Sequence, residues 1–134
     1  MELFIAFATD NGTNFNDDHF GMAQYYQIYR FCDDGEEFVE QRENVEFQEY
    51  ESEKHGDPAK AQATSSVLKG IDVLVSKKFG PNLTRMVNKF VCVAVRTNVI
   101  SDAIKIVKNH ANKFVYHSSD IRAKLFTHKN IDAR

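Results

Sequence analysis

The side chains best suited to chemistry gather near the N-terminus, in Thr9-Asp10-Asn11-Gly12-Thr13-Asn14-Phe15-Asn16-Asp17-Asp18-His19-Phe20-Gly21. This stretch holds the carboxylates Asp10, Asp17 and Asp18 and one histidine. His19 is its one side chain that offers a borderline metal a nitrogen ligand near neutral pH. Phe20 is placed to anchor the loop in a core and aim the neighbouring imidazole outward. Gly21 allows a turn that other residues resist. On residue type alone, His19 reads either as a metal or cluster ligand or as an ordinary surface histidine on a turn. Asp10 raises a different chemistry, two-metal phosphoryl transfer, which needs several converging carboxylates. The apolar runs Tyr25–Phe31 and Phe90–Val95 carry none, and Asp72 stands at the start of its run. Asp10-Asn11-Gly12 is more simply a turn.

Two later stretches could complete a site. His55-Gly56-Asp57-Pro58 resembles a capped helix N-terminus, which favours an anion, and His55 could add a ligand or a hydrogen bond there. Its plain reading is a histidine in a polar loop. Phe79-Gly80-Pro81-Asn82 leads into a second helix, with Lys77 and Lys78 as solvated charge or as extra positive potential. His110, His117 and His128 read as surface residues of the tail. His117-Ser118-Ser119-Asp120 are adjacent in sequence, whereas a triad is defined by geometry. No GxSxG, P-loop or GxGxxG is present.

These residues need elements to position them. Leu3–Ala8 reads as a buried strand. Ala23–Phe31 reads as a second strand, Asp33-Asp34-Gly35 as a turn, and Phe38–Asn44 as a charged edge strand paired antiparallel to the second. Asp57-Pro58 opens a helix that stops at Gly70. Ile71–Val75 and Phe90–Val95 read as buried strands. A helix in which Leu83, Met86 and Val87 share a face lies between them. Asn98 is placed to cap a last helix carrying Val99, Ile100, Ala103, Ile104 and Val107. In the tail, Phe114–Tyr116 suits a short strand and Asp120–Phe126 a short helix. The order β-β-β-α-β-α-β-α predicts an α/β domain: a three-layer α/β/α arrangement around a mixed five-stranded sheet, in the element order of ribonuclease-H-like folds.

The bulk numbers agree with that domain. The chain has 134 residues, 43% hydrophobic and 27% charged. Residues 1–110 are expected to form the domain and 111–134 an extension packed on it. No run approaches the roughly 20 apolar residues of a membrane span, and no signal peptide is evident. The expected compartment is therefore the cytoplasm, with no membrane partner. Cys32 and Cys92 form no CxxC pair; Cys92 reads as a buried thiol. The net charge of −2 is unevenly spread. Acids dominate Asp33–Glu53 and bases dominate Lys105–Arg134. Those regions could attract each other within the chain or in a homodimer. The balance lacks the basic excess of a nucleic-acid binder.

Taken in order, several pieces resemble the dinitrogenase iron–molybdenum cofactor biosynthesis family of NifX-like, NafY-like and C-terminal NifB-like proteins. They are Ile5–Gly12, His19-Phe20-Gly21 with Tyr25, Arg42-Glu43-Asn44, His55-Gly56, Asp72–Val75 and Gly80-Pro81-Asn82. The resemblance covers Phe4 to about Val107. It implies a ribonuclease-H-like fold and a non-enzymatic protein that binds or carries an iron–sulfur-type or iron–molybdenum-type cluster between donor and acceptor proteins. His19 would be the principal ligand and His55 a second. Phe20, Gly21, Gly56, Gly80 and Asn82 would line the pocket. The chain departs from the family at Ser76-Lys77-Lys78-Phe79, where the family often has small, glycine-rich residues. That departure leaves a small-anion or protein-interaction module as the alternative, with a metal-dependent nuclease third.

Overall fold

A strand as apolar as Leu3–Ala8 must be covered on both faces. In the computed structural model, which describes residues 1–45, 66–87, 89–111, 114 and 125–127, it becomes β1 (Glu2–Thr9), an inner strand of a mixed open sheet. The other strands are β2 (Tyr25–Cys32), β3 (Gly35–Glu43), β4 (Val73–Ser76), β5 (Val91–Ala94) and β6 (Leu125–Thr127). Their order is β3-β2-β1-β4-β5-β6. β1, β2 and β3 pair antiparallel. β1, β4, β5 and β6 pair parallel. All five strands expected from the sequence are present, and β6 extends the sheet beyond β5.

The period-two alternation of strands sorts the core onto the two faces. Leu3, Ile5 and Phe7 pack with Val73, Val75, Val91 and Val93 against Ile100, Ala103 and Val107 of helix α2 (Ile100–Asn109). Ala6 and Ala8 pack with Tyr26, Ile28, Leu74 and Cys92 against Phe20, Phe79 and Met86, the last from the short helix α1 (Leu83–Met86). Both faces therefore carry a packed cluster, and Cys92 is the buried thiol expected. Among the described residues no helix is long and apolar enough to cross a membrane.

The edge behaves as its charge suggests. Asp33 and Asp34 turn the chain, Gly35 follows at φ +141°, and β3 begins there rather than at Phe38. β3 is the outer strand and is largely exposed. Its Arg42 reaches across to the carbonyls of Val67 and Lys69, both at 2.8 Å. These groups flank the helix end at 66–67. Gly70, at φ +83°, ends that helix as expected; its start at Asp57-Pro58 lies outside the described residues.

The tail differs from expectation. Phe114 is helical and fully buried, not part of a strand. Leu125-Phe126-Thr127 form a strand, not the end of a helix. Short apolar runs suit either element, and the open edge of β5 selects the extended form. His110 is buried beside the C-terminus of α2 rather than on the surface. His117 and His128 lie outside the described residues.

Candidate functional site

The loop between β1 and β2 is built in two halves. In the first, the Thr9 hydroxyl donates to the Asn14 carbonyl at 2.6 Å and accepts from the Gly12 amide at 2.8 Å. Asn11 Oδ1 accepts from the amides of Thr13 and Asn14 at 2.9 and 2.8 Å. Such side chain-to-backbone bonds are what Asn and Thr contribute to turns. The half then docks on the chain ahead of α2. The Phe15 amide donates to the Asn98 carbonyl at 2.9 Å, and the Ile100 amide donates to the Thr13 carbonyl at 3.0 Å. The first N–H of α2 is thus satisfied by the loop backbone. Asn98, expected as the cap, is not: the capping position is Val99, and Asn98 Oδ1 instead accepts from Lys77 Nζ at 2.8 Å.

A cleft of about 330 Å³ lies here, lined by Asp10, Asn14, Asn16, Asp17 and Asn98 among others. Several of its oxygens are engaged, while Asn16 Oδ1 is buried with no hydrogen-bond partner among the described residues. Asp10 Oδ1 accepts from the Gln24 amide at 2.9 Å and so ties the loop to the start of β2. Asp17 Oδ1 accepts from Lys77 Nζ at 3.2 Å. Asp10 and Asp18 thus accept backbone amides of the loop and its neighbour, and Asp17 is a fully exposed partner of Lys77. Among the described residues no three His, Cys, Asp or Glu side chains are grouped to hold a metal ion.

In the second half, His19 precedes a 3-10 turn over Phe20–Met22. Phe20 is fully buried. Its ring stacks on Tyr26 at 4.7 Å and on Phe79 at 5.5 Å between centroids. Its amide donates to the Lys78 carbonyl at 2.8 Å, and its carbonyl accepts from the Tyr26 hydroxyl at 3.0 Å. Burial pushes the Tyr26 phenol well above its usual range, so it stays a neutral donor. Phe20 is the anchor that the sequence suggests, and 44% of the His19 side chain remains exposed. Asp18 Oδ1 accepts from the His19 amide at 2.7 Å. Asn16 Nδ2 donates to the carbonyls of Asp18 and His19 at 3.2 and 3.1 Å.

The segment joining β4 to α1 comes up beneath the imidazole. Gly80 has φ +75° and opens the 3-10 turn Gly80–Asn82, whose carbonyl at 80 accepts from the Leu83 amide. A Cβ placed on Gly80 would fall 2.5 Å from His19 Cγ, 2.8 Å from Cε1 and closer still to Nδ1. The ring therefore rests on the backbone at Gly80. Asn82 stands in the same turn.

His19, with Phe20 and Gly21 next to it in the chain, meets Gly80, and Asn82 lies two residues beyond Gly80. His55 and Gly56 lie outside the described residues. Gly21 has no positive φ, so its role is not the turn first expected; its carbonyl accepts from Asn44 Nδ2 at 3.0 Å. Lys77 faces the Asp17–Asn98 cleft. The bulky Phe79, a departure from the glycine-rich pattern, is folded into the core and does not stand over His19. Sequence reasoning missed Asn16, Asn44 and Tyr26 as supports of the His19 turn. Tyr26 alone left a signal, a tyrosine inside an otherwise buried strand, where a hydroxyl needs a partner.

The arrangement offers one imidazole, partly exposed and carried on a turn anchored in the core. It can act as a single ligand to a metal centre or as a donor to an anion. No curated protein matches the chain. The family described as "Dinitrogenase iron-molybdenum cofactor" matches residues 1–110, and the chain belongs to that family.

Proposed function

We propose that this protein is a non-catalytic carrier of an iron–sulfur-type metallocluster, such as the iron–molybdenum cofactor or a precursor, handed between a donor and an acceptor protein. His19 is its principal ligand and His55 a second. The three-layer, ribonuclease-H-like arrangement belongs to the same reading. It is supported by an antiparallel β3-β2-β1 half beside a parallel β1-β4-β5 half and by a packed cluster on each face. The family's association with the iron–molybdenum cofactor supplies the class of cargo.

The observation that carries the reading is the setting of His19. Its flanking Phe20 is locked into the core by stacking and by bonds to Lys78 and Tyr26, while the imidazole stays 44% exposed. A cluster brings most of its own ligands, so one well-placed imidazole can hold an iron without a full protein ligand set. The burial of Phe79 leaves the space over the ring free of that side chain.

Anaerobic reconstitution with iron and sulfide tests the reading. Wild-type protein should develop charge-transfer absorbance in the visible range, and His19→Ala should weaken it strongly without changing the far-ultraviolet circular dichroism. No cluster uptake by wild-type protein, either from iron and sulfide or from a loaded donor, would sink the carrier reading.

A further inference from the structure

The contact between Gly80 and His19 carries more than a packing role. Three ring atoms of His19, namely Nδ1, Cγ and Cε1, are the nearest neighbours of the place where a side chain at residue 80 would begin. Nε2 is not among them. Nδ1 also lies 3.9 Å from Asp18 Oδ1. Gly80 lies against the face of the ring, and Nδ1 is the ring nitrogen nearer to both Gly80 and Asp18, which leaves Nε2 the less crowded of the two.

The seat is fixed from both sides. On the histidine side, Phe20 is held by its ring stack and by the Phe20 amide–Lys78 carbonyl bond, two residues from Gly80. On the glycine side, Gly80 sits at φ +75° and starts the 3-10 turn that leads into α1. Two requirements therefore meet at one residue. The turn favours glycine for its backbone angle, and the imidazole needs glycine for room.

We propose that Gly80 is a positioning residue for His19: the missing side chain gives the imidazole its seat, which presents Nε2 as the ligand-binding atom. Its consequence for cluster binding rests on the carrier reading; the seat itself does not. A ligand whose ring orientation is fixed in advance loses less freedom when it binds. Residues that orient a metal-binding histidine commonly matter about 10- to 100-fold in affinity.

The test separates room from backbone angle. Gly80→Ala adds a Cβ and strains the turn. Gly80→Asn adds a Cβ but tolerates positive φ better, and so guards against misreading a folding defect. Both are made in wild-type protein and in a His19→Ala background, and the thermal midpoints form a double-mutant cycle. If the seat exists, Gly80→Ala lowers the midpoint about 3 °C or more further when the imidazole is present than when it is absent. Both substitutions at residue 80 should move the His19 ring signals in NMR spectra of the cluster-free protein, while Phe20 and Tyr26 ring signals hold. Aquapentaammineruthenium(II), which bonds to exposed imidazole nitrogen, should attach to His19 at Nε2. Cluster uptake from iron and sulfide should fall about 10- to 100-fold in Gly80→Asn.

Equal midpoint losses in the two backgrounds, with unmoved His19 signals, would reduce Gly80 to a backbone role and overturn the proposal. Ruthenium attachment at Nδ1 would overturn the assignment of the ligand atom. A wild-type protein that takes up no cluster, yet shows the coupling and the Nε2 attachment, would confirm the seat and defeat only the carrier reading.

Discussion

Thr9–Asn14 and Asp18–Gly21 belong to one loop, and they are held in different ways. The first half satisfies itself. Thr9 and Asn11 close its turns, and Asp10 fastens it to β2. Its backbone meets the residues before α2 at Phe15–Asn98 and Thr13–Ile100. The second half spends its backbone and its aromatic ring on neighbours, through Phe20–Lys78, Tyr26–Phe20 and Asn44–Gly21, and leaves an imidazole over Gly80. Each half holds one carboxylate, Asp10 or Asp18, that accepts from a backbone amide, and the second half also holds the imidazole that stays 44% exposed. Short polar side chains next to backbone amides are consumed by turns, whereas a ring propped on a buried neighbour is not.

That contrast can be broken by substitution. Phe20→Ala should have the largest effect, a loss of about 3–5 kcal/mol in urea unfolding, because it empties the space between Tyr26 and Phe79. Little loss would mean that the second half is not anchored as described. Thr9→Val should cost about 1–3 kcal/mol, since Thr9 is fully buried and its bonds to Asn14 and Gly12 leave unsatisfied backbone groups when removed. Tyr26→Phe should cost about 0.5–1.5 kcal/mol, the range of a single hydrogen bond, and should broaden the amide signals of residues 19–21. His19→Ala should change stability by less than about 0.5 kcal/mol while removing cluster absorbance. A destabilisation as large as that of Thr9→Val would make His19 a structural residue like those of the first half. Asp17→Asn should be the mildest, with no measurable shift in the urea midpoint, because Asp17 is fully exposed and such ion pairs are screened by water.

Much of the frame was legible from pattern. β1, β4 and β5 announce themselves as apolar runs, and the charge of β3 marks it as an edge strand. Gly70 and Gly80 both fall at positive φ where the sequence places turns. What pattern missed depends on long-range geometry. Asn98 was placed as a cap, yet the N–H it would have bonded is taken by Thr13 from the β1–β2 loop. His110 was placed on the surface, yet the end of α2 turns it into the core. Leu125 and Phe126 suit the end of a helix over Asp120–Phe126, but the free edge of β5 offers Leu125–Thr127 a strand partner.

Composition and spacing by themselves determined the α/β class, the five strands, the polar loop after β1 and the candidacy of His19. These follow from local rules: the period of apolar residues, the φ that glycine permits and the short reach of turn side chains. Only the tertiary structure decided which members of that loop stay available. It brought residues 19 and 80, sixty-one positions apart, into van der Waals contact, and it buried Phe79, which on paper threatened the site. Such contacts arise where strand ends meet across the sheet, so neither segment records in its own sequence what the other will bring to it.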